Sequence, residues 1–313
     1  MTAAIETHKL TKWYGPKARG IIDVDLVVET GQIFGFLGPN GAGKSTTIRL
    51  LLDLIRPTSG TATVLDLDIH RDRLAIDRRV SYVPGELSLY SDLTGGQMLT
   101  YLGNIQGGVD AAYRDKLIER LELDPSKRIK RLSRGNKQKV GLVAAFMFRP
   151  ELIILDEPTS GLDPFVQLEF EHLCEEARSE GRTVFISSHQ LPEVEHLCDR
   201  VGIIREGRLL AVESITALKE RALRRLEIEF GGKVDPAAFA NLPGVRDVSV
   251  KDGALSCTVM GSVDALVKAA ARFEVRNLRS IETSLEEIFL AYYGAGDAPA
   301  TPLAGKEASH AAA

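Results

Sequence analysis

Cysteine is scarce, long apolar runs are absent, and neither sign of charge is in large excess. The chain has three cysteines in 313 residues, an odd and scattered set that excludes a disulfide framework as the basis of the fold. A membrane-spanning helix needs about 20 consecutive apolar residues, whereas the most apolar stretch, residues 140–148, has nine and lies between Lys139 and Arg149. We therefore expect a chain that does not cross a membrane by itself.

The N-terminus and the charge balance exclude two further classes. Residues 1–10 lack the basic head and apolar run of a secretory signal, so we expect a cytoplasmic protein. Lysine and arginine number 39 against 43 aspartates and glutamates, and this balance gives no overall basic field that would favour nucleic acid as a partner. The hydrophobic fraction of 44% is enough for a sizeable core.

The first two thirds of the chain alternate between short apolar runs and amphipathic segments. An apolar run at 32–38 precedes apolar residues at helical spacing over 46–55, and two more runs, 151–158 and 183–189, flank the amphipathic stretch 166–179. This alternation predicts an α/β fold with βαβ units and a mainly parallel sheet. Helical patterning from about residue 90 to 131 interrupts the alternation and predicts a helical subdomain, which we place at about 86–140.

The pattern changes after Leu218, where the order βαββαβ predicts a small α+β, ferredoxin-like domain over 219–293. Residues 251–253, Lys-Asp-Gly, suit a hairpin turn. A last helix is predicted over 284–293, followed by a disordered tail over 294–313. The first domain then covers 1–218.

Residues Gly38–Ser45 fit the phosphate-loop pattern GxxxxGK followed by Ser or Thr, between a predicted strand and a predicted helix. Glycines let backbone N–H groups converge on an anion at the positive end of the helix. Lys44 would reach the β and γ phosphates of ATP, and the Ser45 hydroxyl would bind Mg²⁺. An ordinary glycine turn is the alternative. The predicted nucleotide-binding set here is Gly38, Pro39, Asn40, Gly41, Ala42, Gly43, Lys44, Ser45 and Thr46.

Two carboxylates, Asp156 and Glu157, end the apolar run at 151–158. The carboxyl ends of strands are where α/β sheets bind ligands. Asp156 suits a Mg²⁺ ligand, and Glu157 is placed to polarise a water molecule aimed at the γ phosphate. Solvated acids at a strand end are the alternative interpretation.

Further segments, in the right order, resemble the ATP-binding subunits of ABC transporters over residues 5–218. The segment LSRGNKQ, 132–138, is similar to the family signature, SGLD at 160–163 to the D-loop, His189 to the switch histidine and Tyr14 to the aromatic residue that stacks on adenine. The resemblance implies that Ser133, Gly135 and Asp163 belong to the nucleotide site and that His189 contributes to catalysis with Glu157 and Lys44. Trp13 is the alternative to Tyr14, and a lone histidine is more often structural.

Three departures from the family pattern stand out. Gly85 occupies the position where most members have a glutamine near the metal, so either Glu86 or Gln97 substitutes or the site works without that ligand. Arg134 and Asn136 replace the usual glycine and glutamine of the signature. Arg134, and residues 284–293, resemble the ABC-2 exporter branch associated with drug resistance.

The resemblance implies a mechanism and partners. Two copies would pack head to tail around two ATP molecules, and opening and closing of this dimer would drive a separate ABC-2 type permease at the inner face of the cell membrane, an exporter of drugs, antibiotics or lipids. A regulatory ABC protein with little hydrolysis, or a soluble ABC-type ATPase unconnected to transport, is the alternative. The cargo is chosen by the permease and is not encoded in these motifs.

Overall fold

A computed structural model describes residues 2–15, 18–221, 223–251, 253–260 and 262–282. The strands are β1 (Ala3–Gly15), β2 (Ala18–Glu29), β3 (Ile33–Leu37), β4 (Ser59–Val64), β5 (Leu67–Asp68), β6 (Val80–Val83), β7 (Leu152–Asp156), β8 (Thr183–Ser188), β9 (Arg200–Arg205), β10 (Arg208–Ser214), β11 (Leu223–Phe230), β12 (Val245–Lys251), β13 (Ala254–Met260) and β14 (Val275–Glu282). The helices are α1 (Lys44–Leu51), α2 (Arg73–Asp77), α3 (Gly95–Ile105), α4 (Ala111–Arg120), α5 (Arg134–Phe146), α6 (Pro164–Ser179), α7 (Leu191–Leu197), α8 (Ile215–Arg221), α9 (Ala237–Ala240) and α10 (Asp264–Ala270), with a 3₁₀ turn at Ile129–Arg131.

A six-stranded sheet forms the centre of the fold, in the order β10-β9-β3-β8-β7-β6. Every neighbouring pair is parallel except β9 and β10, which confirms the predicted parallel sheet. Strands β3, β7 and β8 are buried throughout, as expected for strands covered on both faces. Their register sets Leu37 opposite Ser188 and Asp156 opposite Ser187. The carboxyl ends of these strands therefore meet at one edge.

An antiparallel sheet, in the order β2-β1-β4-β5, packs beside the central sheet and was not predicted. The sequence did carry a signal for it, because apolar residues alternate along β2 and Val24, Leu26 and Val28 are buried. These residues share a core with Phe34, Phe36 and α1. The sheet brings the end of β1, with Tyr14, to the side of α1.

Helix α1 is shorter than predicted. The helical spacing over 46–55 continues beyond the helix, which ends at Leu51. Asp53 adopts a left-handed conformation with φ of 50°, and its carboxylate lies 2.6 Å from Nδ1 of His70 and 3.3 Å from the Arg56 guanidinium. A left-handed residue ends a helix, so a local tertiary contact replaces the last predicted turn.

The helical segment contains α3, α4 and α5. Its first helix begins at Gly95 rather than near residue 90, because Thr94 and Gln97 form a capping box that fixes the start. Helix α5 continues to Phe146, beyond residue 140. Leu99, Leu117, Val140 and Val143 of these helices join the core beneath the central sheet.

The remaining described residues form a second antiparallel sheet unit in the order β12-β13-β11-β14, with α9 and α10 in the crossovers. This is the ferredoxin-like topology predicted from the sequence. Lys251 pairs with Ala254, which confirms the hairpin between β12 and β13. Phe230, Phe239 and Phe273 pack against one another at its core. The helix predicted over 284–293 and the tail over 294–313 lie outside the described residues.

Within the part of the chain that the structure describes, no helix combines the length and apolar character needed to span a bilayer.

Candidate nucleotide site

The phosphate loop follows β3 and crosses the edge where the parallel strands end. The Gly38 N–H donates to the Ser188 carbonyl at 3.2 Å. A Cβ at Gly38 would lie 2.3 Å from the carbonyl oxygen of Ile204, so a side chain there would displace backbone. Gly41 and Gly43 have φ of 79° and 113°, conformations that L residues rarely adopt. The glycines of the motif are therefore required by this loop.

The loop delivers α1 with an uncapped first turn. Gly43 is the N-cap and offers no side-chain hydrogen bond, so the first N–H groups of α1 are available to an anion. Ser45 and Thr46, in that turn, are half-buried, whereas Pro39, Asn40 and Gly41 are exposed and Ala42 is buried. This is the geometry of an anion cradle.

Lys44 is a buried cation, 5% exposed. Its Nζ donates to the carbonyls of Gly38 at 2.8 Å and Pro39 at 3.3 Å, and it lies 3.3 Å from Oε1 of Glu157. The lysine thus joins the phosphate loop to the end of β7.

The two acidic residues after β7 differ in environment. Asp156 is 5% exposed and accepts a hydrogen bond from the Ser187 hydroxyl. Glu157 has φ of 50°, and its N–H donates to the carbonyl of Ser187 at 3.1 Å and to its Oγ at 3.2 Å. Left-handed backbone at a non-glycine residue is strained. The two carboxylates have different partners, since that of Glu157 lies 3.3 Å from Nζ of Lys44 and that of Asp156 accepts from Ser187.

Glu157 also contacts a histidine, because its Oε2 lies 3.3 Å from Nδ1 of His189. His189 follows β8 and is 40% exposed on its side chain. Three predicted catalytic residues, Lys44, Glu157 and His189, are therefore brought together from three separate strand ends. We call these three residues the catalytic cluster. Ser187, which binds both the Asp156 carboxylate and the Glu157 N–H, was not predicted from the sequence.

Tyr14 lies beside the phosphate loop, with its hydroxyl 3.5 Å from Oγ1 of Thr46. Its ring is 48% exposed, and the Lys12 ammonium lies 5.6 Å from the ring centroid. Trp13 is also exposed, and its backbone N–H donates to Oγ1 of Thr58 at 3.0 Å. Of the two aromatic residues, Tyr14 has its ring next to α1.

The signature segment begins α5 and packs against the loop that follows Glu157. Ser133 is the N-cap, and its Oγ accepts from the Asn136 N–H at 3.3 Å and from its Nδ2 at 3.0 Å. A Cβ at Gly135 would lie 2.1 Å from the carbonyl oxygen of Gly161. Only glycine permits this approach of the two backbones.

Asp163 is engaged within its own chain. Its carboxylate caps α6 by accepting from the Val166 N–H at 3.1 Å, and it lies 3.6 Å from Nζ of the buried Lys139. The Val166 hydrogen bond, with Lys139, holds the pKa of Asp163 below its ordinary value. Among the described residues, no hydrogen bond or ion pair joins Ser133, Gly135 or Asp163 to the catalytic cluster.

The surroundings of Gly85 bear on the two candidate substitutes for the missing glutamine, Glu86 and Gln97. A Cβ at Gly85 would lie 3.3 Å from the carbonyl oxygen of Asp156 and 3.8 Å from its Oδ2, so position 85 borders the Asp156 carboxylate. Gln97 is committed to the capping box, where its Oε1 accepts from the Thr94 N–H at 2.9 Å. Glu86 is exposed.

Tyr82, on the neighbouring strand β6, is a further residue that the sequence analysis missed. Burial, followed by the charge of Asp156, raises the pKa of Tyr82 to about 12. The phenol therefore stays protonated and neutral near physiological pH, and it adds no negative charge beside Asp156.

Comparisons with known proteins agree with this geometry. The family model described as "ABC transporter" matches residues 21–160. The bacitracin transport ATP-binding protein BcrA of Bacillus licheniformis is 35% identical over 95% of this chain and 99% of the relative. The daunorubicin/doxorubicin resistance ATP-binding protein DrrA of Streptomyces peucetius is 32% identical over 94% of this chain and 93% of the relative.

A solved structure described as the ATP-binding subunit of an ABC transporter shares the fold. It superposes with a TM-score of 0.64 at 29% identity, over 70% of this chain and 92% of that one. The family match, the relatives and the fold agree with the phosphate loop and the acidic strand end. The chain therefore belongs to the ATP-binding proteins of ABC transporters and is an ATPase.

Proposed function

We propose that two copies of this chain close around two ATP molecules and that the resulting motion drives a separate ABC-2 type permease that exports drugs, antibiotics or lipids. The observation that carries the proposal is the catalytic cluster, which unites a phosphate-loop lysine, a carboxylate and a histidine at one sheet edge. The names of the relatives, bacitracin transport and daunorubicin/doxorubicin resistance, support the exporter branch. Such a subunit is cytoplasmic and peripheral on the inner face of the cell membrane.

The phosphates of ATP fit the cradle formed by residues 38–46. Lys44 donates to two backbone carbonyls and can exchange these for the more strongly accepting oxygens of the β and γ phosphates. The uncapped N–H groups of α1 face the same anion. The Tyr14 ring beside Thr46 offers a stacking surface for adenine.

The residues around Asp156 fit Mg²⁺. The donors are oxygens, the carboxylate of Asp156 and the hydroxyl of Ser45, and Mg²⁺ commonly takes one or two such protein ligands and completes its shell with water and phosphate. When bound, the ion would neutralise charge that develops on the phosphates. Ser187 orients Asp156, because its hydroxyl donates a hydrogen bond to the carboxylate.

Glu157 and His189 are assigned to the hydrolytic step. Glu157 acts as the base that polarises the attacking water, because its backbone conformation and its contacts with Lys44 and His189 hold the carboxylate over the phosphate loop. His189 contacts the γ phosphate and orients Glu157.

The second copy completes the site. Within their own chain, Ser133 contacts Asn136 and Gly135 packs against Gly161. Both residues follow the phosphate loop by about 90 residues and lie on the separate helical segment. We assign them to the ATP held by the other copy, in an isologous dimer. Asp163 supports this surface by fixing α6 and Lys139 beside the signature. The ABC domain spans 1–218, with its helical subdomain at about 86–140, and the accessory domain spans 219–293.

A resistance assay tests the exporter role. Cells that produce the chain with its candidate permease are expected to survive higher concentrations of a peptide or anthracycline antibiotic than cells that produce the permease alone. Survival that does not change with the chain, while purified protein hydrolyses ATP, would contradict the exporter assignment and leave the ATPase assignment intact.

Gly135→Ala is expected to lower ATP turnover by about tenfold while nucleotide binding to the isolated chain stays within about twofold, because the added Cβ must push the signature away from Gly161. Gly95→Ala is the matched control, since that glycine also lies in the first turn of a helix and its added Cβ would meet neighbours at an ordinary 3.6 Å. Steady-state turnover and a fluorescent-nucleotide titration measure both variants. Unchanged turnover in Gly135→Ala would refute the role of this contact.

Glu86→Ala is expected to leave the Mg²⁺ concentration for half-maximal ATPase activity within about twofold of the native value in the isolated chain, because Glu86 is exposed and suits a contact with the permease. Only permease-coupled activity should fall. Gly85→Gln is the companion variant, and it should lower the Mg²⁺ midpoint because position 85 borders Asp156. A clear rise of the midpoint in Glu86→Ala would make Glu86 a metal ligand instead.

A further inference from the structure

A buried carboxyl group outside the catalytic cluster lies at the base of the turn that carries His189. Glu193 is in the first turn of α7, and its Oε2 accepts the Ser188 hydroxyl at 2.5 Å. The same Ser188 Oγ accepts from the Gln190 N–H at 2.9 Å. His189 therefore sits in a turn whose two ends are tied together by Ser188, and Ser188 is tied to Glu193.

This network reaches the other two loops of the site. The Ser188 carbonyl accepts the N–H of Gly38, the first residue of the phosphate loop. The hydroxyl of Thr159, two residues after Glu157, is close enough to Glu193 to lower the pKa of its carboxyl. Glu193 thus stands where the segments following β3, β7 and β8 converge.

The second carboxyl oxygen of Glu193 makes this placement costly. Oε1 is buried and makes no hydrogen bond of acceptable geometry within the described residues. Burial raises the pKa of Glu193, although the hydroxyls of Ser188 and Thr159 and the nearby His189 oppose the rise. An incompletely paired buried carboxyl is unfavourable for folding. A neutral or apolar residue would be more favourable here if Glu193 contributed only to the core.

We infer that Glu193 is a positioning residue for ATP hydrolysis. Through Ser188, it fixes the position of the turn that carries His189 relative to the phosphate loop and to the loop after Glu157. This inference rests on the proposed roles of His189 and Glu157. Glu193 does not touch the nucleotide. It sets the distance between Nδ1 of His189 and the Glu157 carboxylate, which is 3.3 Å in this structure.

The charged and titratable groups around Glu193 are few. Helix α7 packs against β3, β8 and α6. From these elements and the adjoining loops, the groups that interact with the Glu193 carboxyl are His189, Glu157 and the buried thiols of Cys174 and Cys198. Burial raises the pKa of both thiols well above the ordinary value, so they remain neutral.

Glu193→Ala is expected to lower kcat by about tenfold with ATP affinity within about twofold of native. Glu193→Gln should recover part of that loss, because its amide oxygen still accepts the Ser188 hydroxyl. Ser188→Ala should lower kcat similarly, and combining it with Glu193→Ala should add little, since both remove one contact. Glu195→Gln is the matched control on α7, because that carboxylate faces Lys219 at 3.5 Å.

The pH profile separates positioning from simple packing. The charged carboxylate binds the Ser188 hydroxyl more strongly than an amide does, and protonation at low pH removes this advantage. The ratio of native to Glu193→Gln kcat should therefore rise with pH, by about threefold in all. Burial raises the pKa of Glu193, so this rise should be centred at a higher pH than the titration of an ordinary glutamate.

Native kcat in Glu193→Ala, or a kcat ratio that is constant with pH, would overturn the inference. Loss of nucleotide binding together with kcat would also overturn it, since this would indicate general damage to the fold. Glu157→Gln is measured in parallel. Turnover retained by Glu157→Gln would refute the proposed function, whereas an inactive Glu157→Gln beside a fully active Glu193→Ala would refute the role of Glu193 alone.

Discussion

Lys44→Ala is expected to reduce ATP turnover by at least about a hundredfold and to weaken nucleotide binding, because it removes the buried ammonium that faces the phosphates. Lys44 is the cation that connects the phosphate loop to Glu157. Its removal leaves the carboxylate without that partner and the Gly38 carbonyl without its donor. Phosphate release and a nucleotide titration measure the two effects.

The control for this variant is Lys116→Ala, which removes an exposed lysine from α4. It should hydrolyse ATP at the native rate. Thermal unfolding without nucleotide shows whether Lys44→Ala is folded. A folded Lys44→Ala protein with native turnover would contradict the assignment of the phosphate loop.

Glu157→Gln is expected to bind ATP with native affinity and to lose hydrolysis by at least about a hundredfold. The amide keeps the size of the side chain and can remain near Lys44 and His189, but it cannot accept a proton from water. Its binding and turnover should therefore separate, unlike those of Lys44→Ala, in which both fall. A nucleotide titration and a single-turnover assay distinguish the two patterns.

Glu151→Gln is the matched carboxylate control, since Glu151 immediately precedes the opposite end of β7. Both of its oxygens accept from Arg79 at 2.6 Å, and the pKa of Glu151 is lowered by this pair. A partly exposed ion pair contributes about 1 kcal/mol or less to stability, so its loss should leave turnover unchanged. Equal losses in Glu151→Gln and Glu157→Gln would contradict the catalytic assignment of Glu157.

The phosphate loop and the acidic strand end were predictable because their chemistry is local. Lys44 follows glycines whose left-handed conformations are needed over a few residues, and Asp156 follows an uninterrupted apolar strand. Parallel strands then bring these ends to one edge without further information. The catalytic cluster could be anticipated from the sequence for this reason, although its distances could not.

Other features depend on contacts between distant segments. Helix α1 ends early because Asp53 meets His70, and Gly135 is required because Gly161 packs against it. Glu193 gives no sequence signal, since an acidic residue in the first turn of a helix is ordinarily a solvated one. The burial of its Oε1 follows only from the packing of α7 on the central sheet.

The central claim, that ATP closes two copies around shared sites, is tested most directly by the molar mass of Glu157→Gln with saturating ATP and Mg²⁺. With nucleotide, light scattering during size exclusion is expected to give twice the 34.2 kDa of the single chain. Without nucleotide it should give the single-chain mass. The double variant that carries both Lys44→Ala and Glu157→Gln should also keep the single-chain mass, even with nucleotide. A Glu157→Gln protein that binds ATP yet keeps the single-chain mass at saturation would contradict the account.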